Sequence, residues 1–153
     1  MRSPPGRGLG EKQVGSAAEY FGDPNPAGPR GGEGRFIDLF KEVDPVVFVP
    51  GLEFRPALGR STMLNSVHFD PHTVAPLHAH EEEQITLVVE GELEFELDGD
   101  VRRLGPGMVV VVPSNVPHGA RTHEVACQEY DIFTPHRRAL LELRRRDGPL
   151  PEG

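Results

Sequence analysis

The chain has 153 residues and a formal net charge of −8 at pH 7, which fits one domain with a single core. The acidic balance argues against a nucleic-acid partner, because binding to phosphates needs clustered Lys and Arg. Cys127 is the only cysteine, so no intrachain disulfide can form and a cytoplasmic location is the simplest expectation. The sequence has neither a long apolar run nor an apolar signal core, so we expect no membrane association.

Residues 1–35 are rich in Gly and Pro and contain few large apolar side chains. Such a segment cannot offset its ordering entropy by burial, and we predict that it is mostly disordered. Residues 36–40, Phe-Ile-Asp-Leu-Phe, mark the entry to a folded domain as a helical turn or an edge strand. We place that domain at residues 36–147, followed by a tail at residues 148–153.

The domain reads as β-structure from Val46 onward. Short apolar runs bounded by Gly, Pro and Asp predict strands over residues 46–49, 53–55, 62–69, 92–98 and 108–112, with closing strands over residues 121–133. About eight short antiparallel strands at this spacing predict an all-β sandwich or jelly-roll barrel. After Pro135 the strong helix formers of residues 138–143 predict a short C-terminal helix.

Four side chains of metal-ligand type stand near strand ends. His78 and His80 are two residues apart, so in an extended strand both imidazoles face the same way. Gln84 follows an acidic bend, Glu81-Glu82-Glu83, which we interpret as a solvated loop with one carboxylate that could serve as a base. His118 follows a proline-bounded loop after the strand at residues 108–112. These four side chains could therefore meet inside one small barrel and hold a metal ion.

The order of these residues resembles the two consecutive motifs of the cupin superfamily, a small double-sheet β-barrel. The first motif is His78-x-His80-x-x-x-Gln84 followed by Gly91, and the second contains Gly107, Pro113 and His118. Two departures are Gln84 in place of the usual glutamate ligand and Asn115 in place of a glycine. The resemblance implies a double-stranded β-helix, one divalent metal ion and the homodimer that cupins often form.

A closer resemblance is to the single-domain cupins that linearise unsaturated uronates in pectin degradation, in which three His and one Gln hold the metal. Their signature Asp-x-Phe-Ser-Pro-x-Arg is matched by residues 131–137, Asp-Ile-Phe-Thr-Pro-His-Arg. The resemblance implies that Asp131, Phe133 and Arg137 line the substrate pocket, with Asp131 and Arg137 catalytic. A structural alternative stays open, in which Asp131 and Arg137 pair with each other or cap the helix. Arg121 and Tyr130 are weaker candidates for substrate contacts.

Three imidazoles and one amide are neutral ligands, so a divalent ion held by them keeps its full charge and acts as a Lewis acid. Fe, Ni, Zn, Mn or Cu would suit such a site. We therefore expect an isomerase, cyclase or lyase acting on a small anionic or carbonyl-containing substrate. A cupin dioxygenase and a non-catalytic ligand-binding cupin are the alternatives.

Overall fold

A computed structural model describes residues 15–146. The chain divides into two units, residues 1–34 and residues 35–153. Within the described part of the first unit, every residue is exposed, and helix α1 (Ala17–Phe21) begins with a capping box formed by Ser16 and Glu19. The disorder predicted for residues 1–14 and the tail predicted at residues 148–153 lie outside the described residues.

The second unit is an all-β jelly roll, as the sequence predicted, and its strands form two sheets. Its elements are α2 (Leu39–Glu42), β1 (Val46–Val49), β2 (Leu52–Leu58), β3 (Met63–Phe69), β4 (Val74–His78), β5 (Glu83–Gly91), β6 (Leu93–Leu97), β7 (Asp100–Leu104), β8 (Val109–Val112), β9 (His118–Arg121), β10 (Cys127–Thr134) and α3 (Arg138–Arg146). The larger sheet has the order β1-β2-β3-β10-β5-β8, and the smaller sheet has the order β4-β9-β6-β7. Between residues 15 and 146, no helix has the length and apolar character to cross a membrane.

The main core lies between the two sheets and follows from alternation along the strands. Leu93 and Phe95 of β6 are buried, with Glu94 between them only half-buried, as the alternating pattern predicted. Cys127 is a buried member of the same core, so it packs as a small hydrophobe. Burial raises the pKa of its thiol to about 11, which disfavours the reactive thiolate.

Two local predictions differ from the structure. Strand β2 does not stop before Pro56 but continues to Leu58, which is possible because β1 pairs with β2 only as far as Phe54 and leaves the strand edge free at the proline. Of the two alternatives for residues 36–40, the structure has the helical turn, but it begins only at Leu39, and Phe36 before it is exposed. Asp38 caps that turn by accepting hydrogen bonds from the backbone N–H groups of Phe40 and Lys41.

The inner face of the larger sheet carries a row of polar side chains on its three middle strands. Asp131 of β10 lies opposite Asn65 of β3 on one side and opposite Thr86 of β5 on the other, and all three side chains are buried. Glu129, two residues earlier on β10, faces inward in the next row between Val67 and Val88. A core wall with this much polarity is costly unless the groups bind each other or a ligand.

Candidate metal centre

Three histidine rings are each held by the main chain through the Nδ1 atom. The Nδ1 atom of His78 lies 2.6 Å from the carbonyl oxygen of Pro76, and that of His118 lies 2.8 Å from the carbonyl oxygen of Val116. The Nδ1 atom of His80 lies 3.0 Å from the carbonyl oxygen of Glu82. Because a carbonyl oxygen only accepts hydrogen bonds, each Nδ1 must carry the proton. Each neutral ring therefore presents its Nε2 lone pair, the arrangement typical of a metal-ligating histidine.

The three rings converge on one place. One ring nitrogen of each of His78, His80 and His118 lies within 4.8 Å of the others. The ring centroids of His78 and His118 are 4.4 Å apart, and those of His80 and His118 are 4.8 Å apart. The Nε2 atom of His118 is buried and has no hydrogen-bond partner within the described chain. An unpaired lone pair of this kind fits a coordinated cation.

These histidines come together because strands β4 and β9 pair at the end of the barrel. His78 is the last residue of β4 and lies opposite His118, the first residue of β9. His80 lies beyond the end of β4, so the predicted strand with both imidazoles on one face is wrong. The backbone N–H of Asn115, in the loop before β9, instead donates to the carbonyl oxygen of His80 at 2.8 Å. Asn115 has φ 62°, which explains why asparagine can replace the glycine usual there.

Gln84 contributes an oriented amide from the opposite sheet. Its Nε2 donates to the Thr86 hydroxyl at 2.9 Å and to Oδ1 of Asp131 at 3.1 Å, so its Oε1 faces Nε2 of His80 at 3.1 Å. When Nδ1 of His80 carries the proton of a neutral ring, Nε2 of His80 and Oε1 of Gln84 are both hydrogen-bond acceptors. Only an imidazolium would carry a second proton, on Nε2, that could be donated to Gln84. Burial lowers the pKa of His80 and disfavours that form. A cation that binds both atoms would satisfy them, so the donor set fits a divalent metal ion.

Burial disfavours the charged form of two of these imidazoles, His80 and His118. Burial lowers the pKa of His118 to about 4, although the hydrogen bond to Val116 partly opposes this shift. His78, His80 and Arg137 add repulsion to a charged His118. At neutral pH the ring of His118 therefore keeps the free lone pair that a metal ligand needs.

Glu82 is the member of the acidic triplet that lies at the site. The prediction of a solvated loop is wrong for Glu82, which is buried, whereas the prediction that one carboxylate of the triplet could serve as a base did not single it out. Its carboxylate lies 3.4 Å from Nδ1 of His80 and 3.7 Å from a guanidinium nitrogen of Arg137. In the sequence, Glu82 is indistinguishable from the glutamates on either side of it. Its position depends on the bend between β4 and β5, which the sequence does not specify in detail.

Asp131 and Arg137 do not pair with each other in the way the structural alternative proposed. Arg137 instead forms its ion pair with Glu82, while Asp131 accepts hydrogen bonds from Gln84 at 3.1 Å and from Thr86 at 2.6 Å. Burial raises the pKa of Asp131, although the hydrogen bonds from Glu129 and Thr86 oppose that shift. Burial and the neighbouring Asp131 raise the pKa of Glu129 well above its usual value. Glu129 is therefore the member of the pair that holds a proton.

A cavity of about 300 Å³ lies in front of the histidines. Some of the predicted substrate-binding residues line it and others do not. Asp131, Phe133 and Arg137 line it. Tyr130 does not, because it alternates with Asp131 and points to the other face of β10. Arg121 lies outside as well, and its guanidinium forms an exposed ion pair with Glu94 at 3.1 Å. We therefore do not retain Tyr130 and Arg121 as substrate contacts.

The remaining histidines, which the sequence analysis did not place at the metal centre, have partners elsewhere. Three of them lie beside carboxylates and one beside a main-chain carbonyl: His68 with Asp70, His72 with Glu124, His123 with Glu94, and His136 with Gly59. These partners fit the interpretation of the four histidines as polar residues outside the metal centre.

Replacing His78 and His80 together by Ala should remove stoichiometric metal from the purified protein, because two of the three imidazoles are lost. Elemental analysis measures this directly, with about one ion per chain expected for the unsubstituted protein. The matched control is the double substitution His72→Ala and His123→Ala, which removes two exposed imidazoles. If the first variant keeps its metal, the ion binds elsewhere.

Glu129→Gln should flatten the pH dependence of stability. A carboxyl with a raised folded-state pKa keeps its proton when folded but loses it when unfolded, so wild-type stability falls as pH rises above the ordinary value of 4.5. The stability of the variant relative to wild type should therefore increase between about pH 5 and about pH 8. Urea unfolding across this range measures it, with the exposed Glu90→Gln as the charge-matched control. A difference that does not change with pH would contradict a protonated Glu129.

Comparison with known proteins agrees with this geometry. Residues 65–132 match the family model described as a cupin domain. The dimethylsulfoniopropionate lyase DddQ of Ruegeria pomeroyi is 46% identical over 50 residues, which is 32% of this chain and 25% of that protein. An H2HPP isomerase of Bacillus subtilis is 49% identical over 53 residues, which is 33% of this chain and 22% of that protein. The matched stretch thus spans about a quarter of the length of these two curated relatives.

A solved structure, that of KdgF from Halomonas sp., is similar over much more of its length. It superposes with a TM-score of 0.60 at 36% identity, covering 63% of this chain and 92% of that protein. A relative of this identity, matched over nearly its whole length, shows more than a shared fold. The chain belongs to the cupin superfamily.

Proposed function

We propose that this cupin is a metal-dependent enzyme that acts on a small carbonyl-containing or anionic substrate in an isomerase, cyclase or lyase reaction. The observation that carries the proposal is the convergence of His78, His80 and His118, each with Nδ1 held by a carbonyl oxygen, so that Nε2 of His118 is left buried without a partner and Nε2 of His80 faces Oε1 of Gln84. Three histidines that are held in this way and converge beside a cavity indicate a ligand set. The lyase and isomerase names of two relatives support the reaction class.

The chemistry follows from the charges of the ligands. His78, His80, His118 and Gln84 are neutral donors, so a divalent ion bound by them would supply strong Lewis acidity toward a carbonyl or hydroxyl oxygen. A carboxylate ligand would have reduced that charge. The neutral donor set therefore favours polarisation of a carbonyl over the O₂ chemistry of a dioxygenase.

Arg137 is proposed to bind the anionic part of the substrate. It lines the cavity, and its side chain is 26% exposed, so a ligand can reach the guanidinium. Its contact with Glu82 at 3.7 Å holds the side chain in place without the close, bidentate geometry that would fully occupy it. An always-charged guanidinium at this place stabilises negative charge that develops on the substrate.

Asp131 is proposed to act mainly through Gln84, and not in the directly catalytic role that the resemblance implied. Its Oδ1 atom already accepts hydrogen bonds from Thr86 and Gln84, and its side chain is buried. These bonds determine which way the Gln84 amide faces. Asp131 is thus a positioning residue, whereas Phe133 contributes an apolar wall beside the ring of His80, with the two ring centroids 5.7 Å apart.

The proposal can be tested by following exchange of hydrogen for deuterium next to the carbonyl of a ring-bearing 2-oxo acid in D₂O. This assay detects activation of a carbonyl without assuming the final product. Chelation should abolish the activity, and one divalent metal should restore it. Activity that survives complete removal of metal would contradict the proposal, and metal binding without any turnover would favour the non-catalytic alternative.

Arg137→Ala should lower turnover of an anionic substrate by about 10²-fold, the scale expected when one charge-stabilising donor is lost. Metal content should stay unchanged, because Arg137 is not among the proposed ligands. Arg137→Lys is the matched control, since it retains the charge and should recover part of the rate. Equal rates for Arg137→Ala and wild type would remove Arg137 from the reaction.

A further inference from the structure

The cavity beside the histidines has walls that are mainly apolar. Leu52, Phe54 and Phe69 line it from the larger sheet, and Phe95 and Ala120 line it from the smaller one. Its volume of about 300 Å³ is enough for a compact ring-bearing molecule. A sugar acid would bring several hydroxyl groups against these walls. Each hydroxyl left unpaired there would lose its hydrogen bonds to water, so the walls disfavour such a ligand.

Two lining residues interrupt this apolar surface, and the metal centre does not use them. Asn65 is 1% exposed, and neither its Oδ1 nor its Nδ2 has a hydrogen-bond partner within the described part of the chain. Its neighbour across the strand pair, Asp131, already accepts from Thr86 and Gln84. The amide of Asn65 thus leaves one unpaired donor group and one unpaired acceptor buried in the wall of the cavity.

Glu129 is the second such residue. It is 3% exposed, and its Oε2 also has no partner among the described residues. It lies diagonally across from Asn65, because Asn65 pairs with Asp131 and Val67 pairs with Glu129 on the same two strands. Its other contact is a hydrogen bond with Asp131. With its proton held toward Asp131, Glu129 offers the cavity an acceptor.

Unpaired buried polar atoms are rare in native proteins because each one forfeits its hydrogen bonds to water. Here two neighbouring side chains leave such atoms on the wall of one cavity, opposite the three histidines. Replacing either residue by an apolar one would remove this cost without disturbing the strand pattern. Their presence is therefore best explained by a ligand that pairs with both.

We propose that Asn65 and Glu129 form a hydroxyl-binding subsite, and that the natural ligand is a small, mainly apolar ring compound that places one hydroxyl group there. A hydroxyl both donates and accepts, so it can donate to an oxygen of Asn65 or Glu129 and accept from the Asn65 amide. A carboxylate or phosphate only accepts, and it would meet the Oε2 acceptor of Glu129 and the charge of Asp131. An ammonium group would face repulsion from Arg137, which lines the same cavity.

This subsite would define the substrate class of the proposed enzyme. The inference rests on the proposed function in one respect only, namely that the ligand bound there is a substrate. Binding itself can be measured without turnover. We would titrate the full-length protein with 4-fluorophenol and 4-fluorotoluene and follow ¹⁹F NMR, because the two probes differ only by hydroxyl against methyl. D-galacturonate is the polyhydroxylated comparison, titrated by calorimetry.

In the unsubstituted protein, 4-fluorophenol should bind about 10-fold more tightly than 4-fluorotoluene, the value expected for one or two net hydrogen bonds. Asn65→Leu, which keeps the side-chain size, should bring that ratio close to one and leave 4-fluorotoluene binding nearly unchanged. Glu129→Met should reduce the ratio, whereas Glu129→Gln, which keeps an acceptor, should retain it. If Asn65→Leu fails to fold, the comparison of Glu129→Met with Glu129→Gln still tests the subsite.

Several results would overturn the subsite. These are equal binding of the two probes to wild type, a preference for 4-fluorophenol that Asn65→Leu and Glu129→Met leave intact, or tighter binding of D-galacturonate than of 4-fluorophenol. Each titration is repeated after chelation. A preference that disappears only with the metal would mean that the hydroxyl binds the ion, which also overturns the subsite. A preference that persists without metal but requires Asn65 supports the subsite even if the protein proves to have no metal-dependent activity.

Discussion

The metal centre depends on three hydrogen bonds between imidazole N–H groups and main-chain carbonyl oxygens. The carbonyl groups of Pro76 and Val116 lie two residues before His78 and His118. The carbonyl group of Glu82 lies two residues after His80. A carbonyl oxygen cannot donate, so the local backbone determines both the tautomer and the direction of each ring. That orientation leaves Nε2 of His118 buried without a partner and turns Nε2 of His80 toward the oxygen of Gln84.

The barrel places two kinds of chemistry on opposite walls of one cavity. The smaller sheet supplies His78 and His118 through the pairing of β4 with β9, while the larger sheet supplies Gln84 and the polar row around Asp131. Asp131 links the two, because it orients the Gln84 amide from one side and holds the hydrogen bond to Glu129 on the other. A ligand in the cavity would thus meet the proposed metal ligands at one end and the hydrogen-bonding groups of the polar row at the other.

Most of the fold could be predicted from the sequence, because alternation and turn residues are local signals. The pattern of residues 92–98 predicted β6, and the spacing of His78, His80, Gln84 and His118 predicted side chains that the structure does bring together. What failed depends on details that local patterns do not contain. The end of β4 at His78 leaves His80 in a bend, and that bend buries Glu82 against His80 and Arg137.

The same limit explains the substrate residues. Asp131 interrupts an apolar strand, which is a visible signal, and alternation along β10 then places Phe133 inside and Tyr130 outside. Asn65 gave no such signal, since a single Asn in a strand is unremarkable until the register shows it opposite Asp131. Arg121 was chosen for its nearness to His118 in sequence, but three residues along an extended strand carry it out of the cavity to Glu94.

The most direct test of the central claim is ¹⁵N NMR of the imidazole nitrogens before and after addition of one equivalent of Zn²⁺ to metal-free protein. The account predicts that His78, His80 and His118 are neutral with Nδ1 protonated, and that zinc shifts their three Nε2 resonances. The other four imidazoles, those of His68, His72, His123 and His136, should stay unchanged. Protonation at Nε2 in any of the three rings, or zinc-dependent shifts confined to the other four histidines, would contradict it.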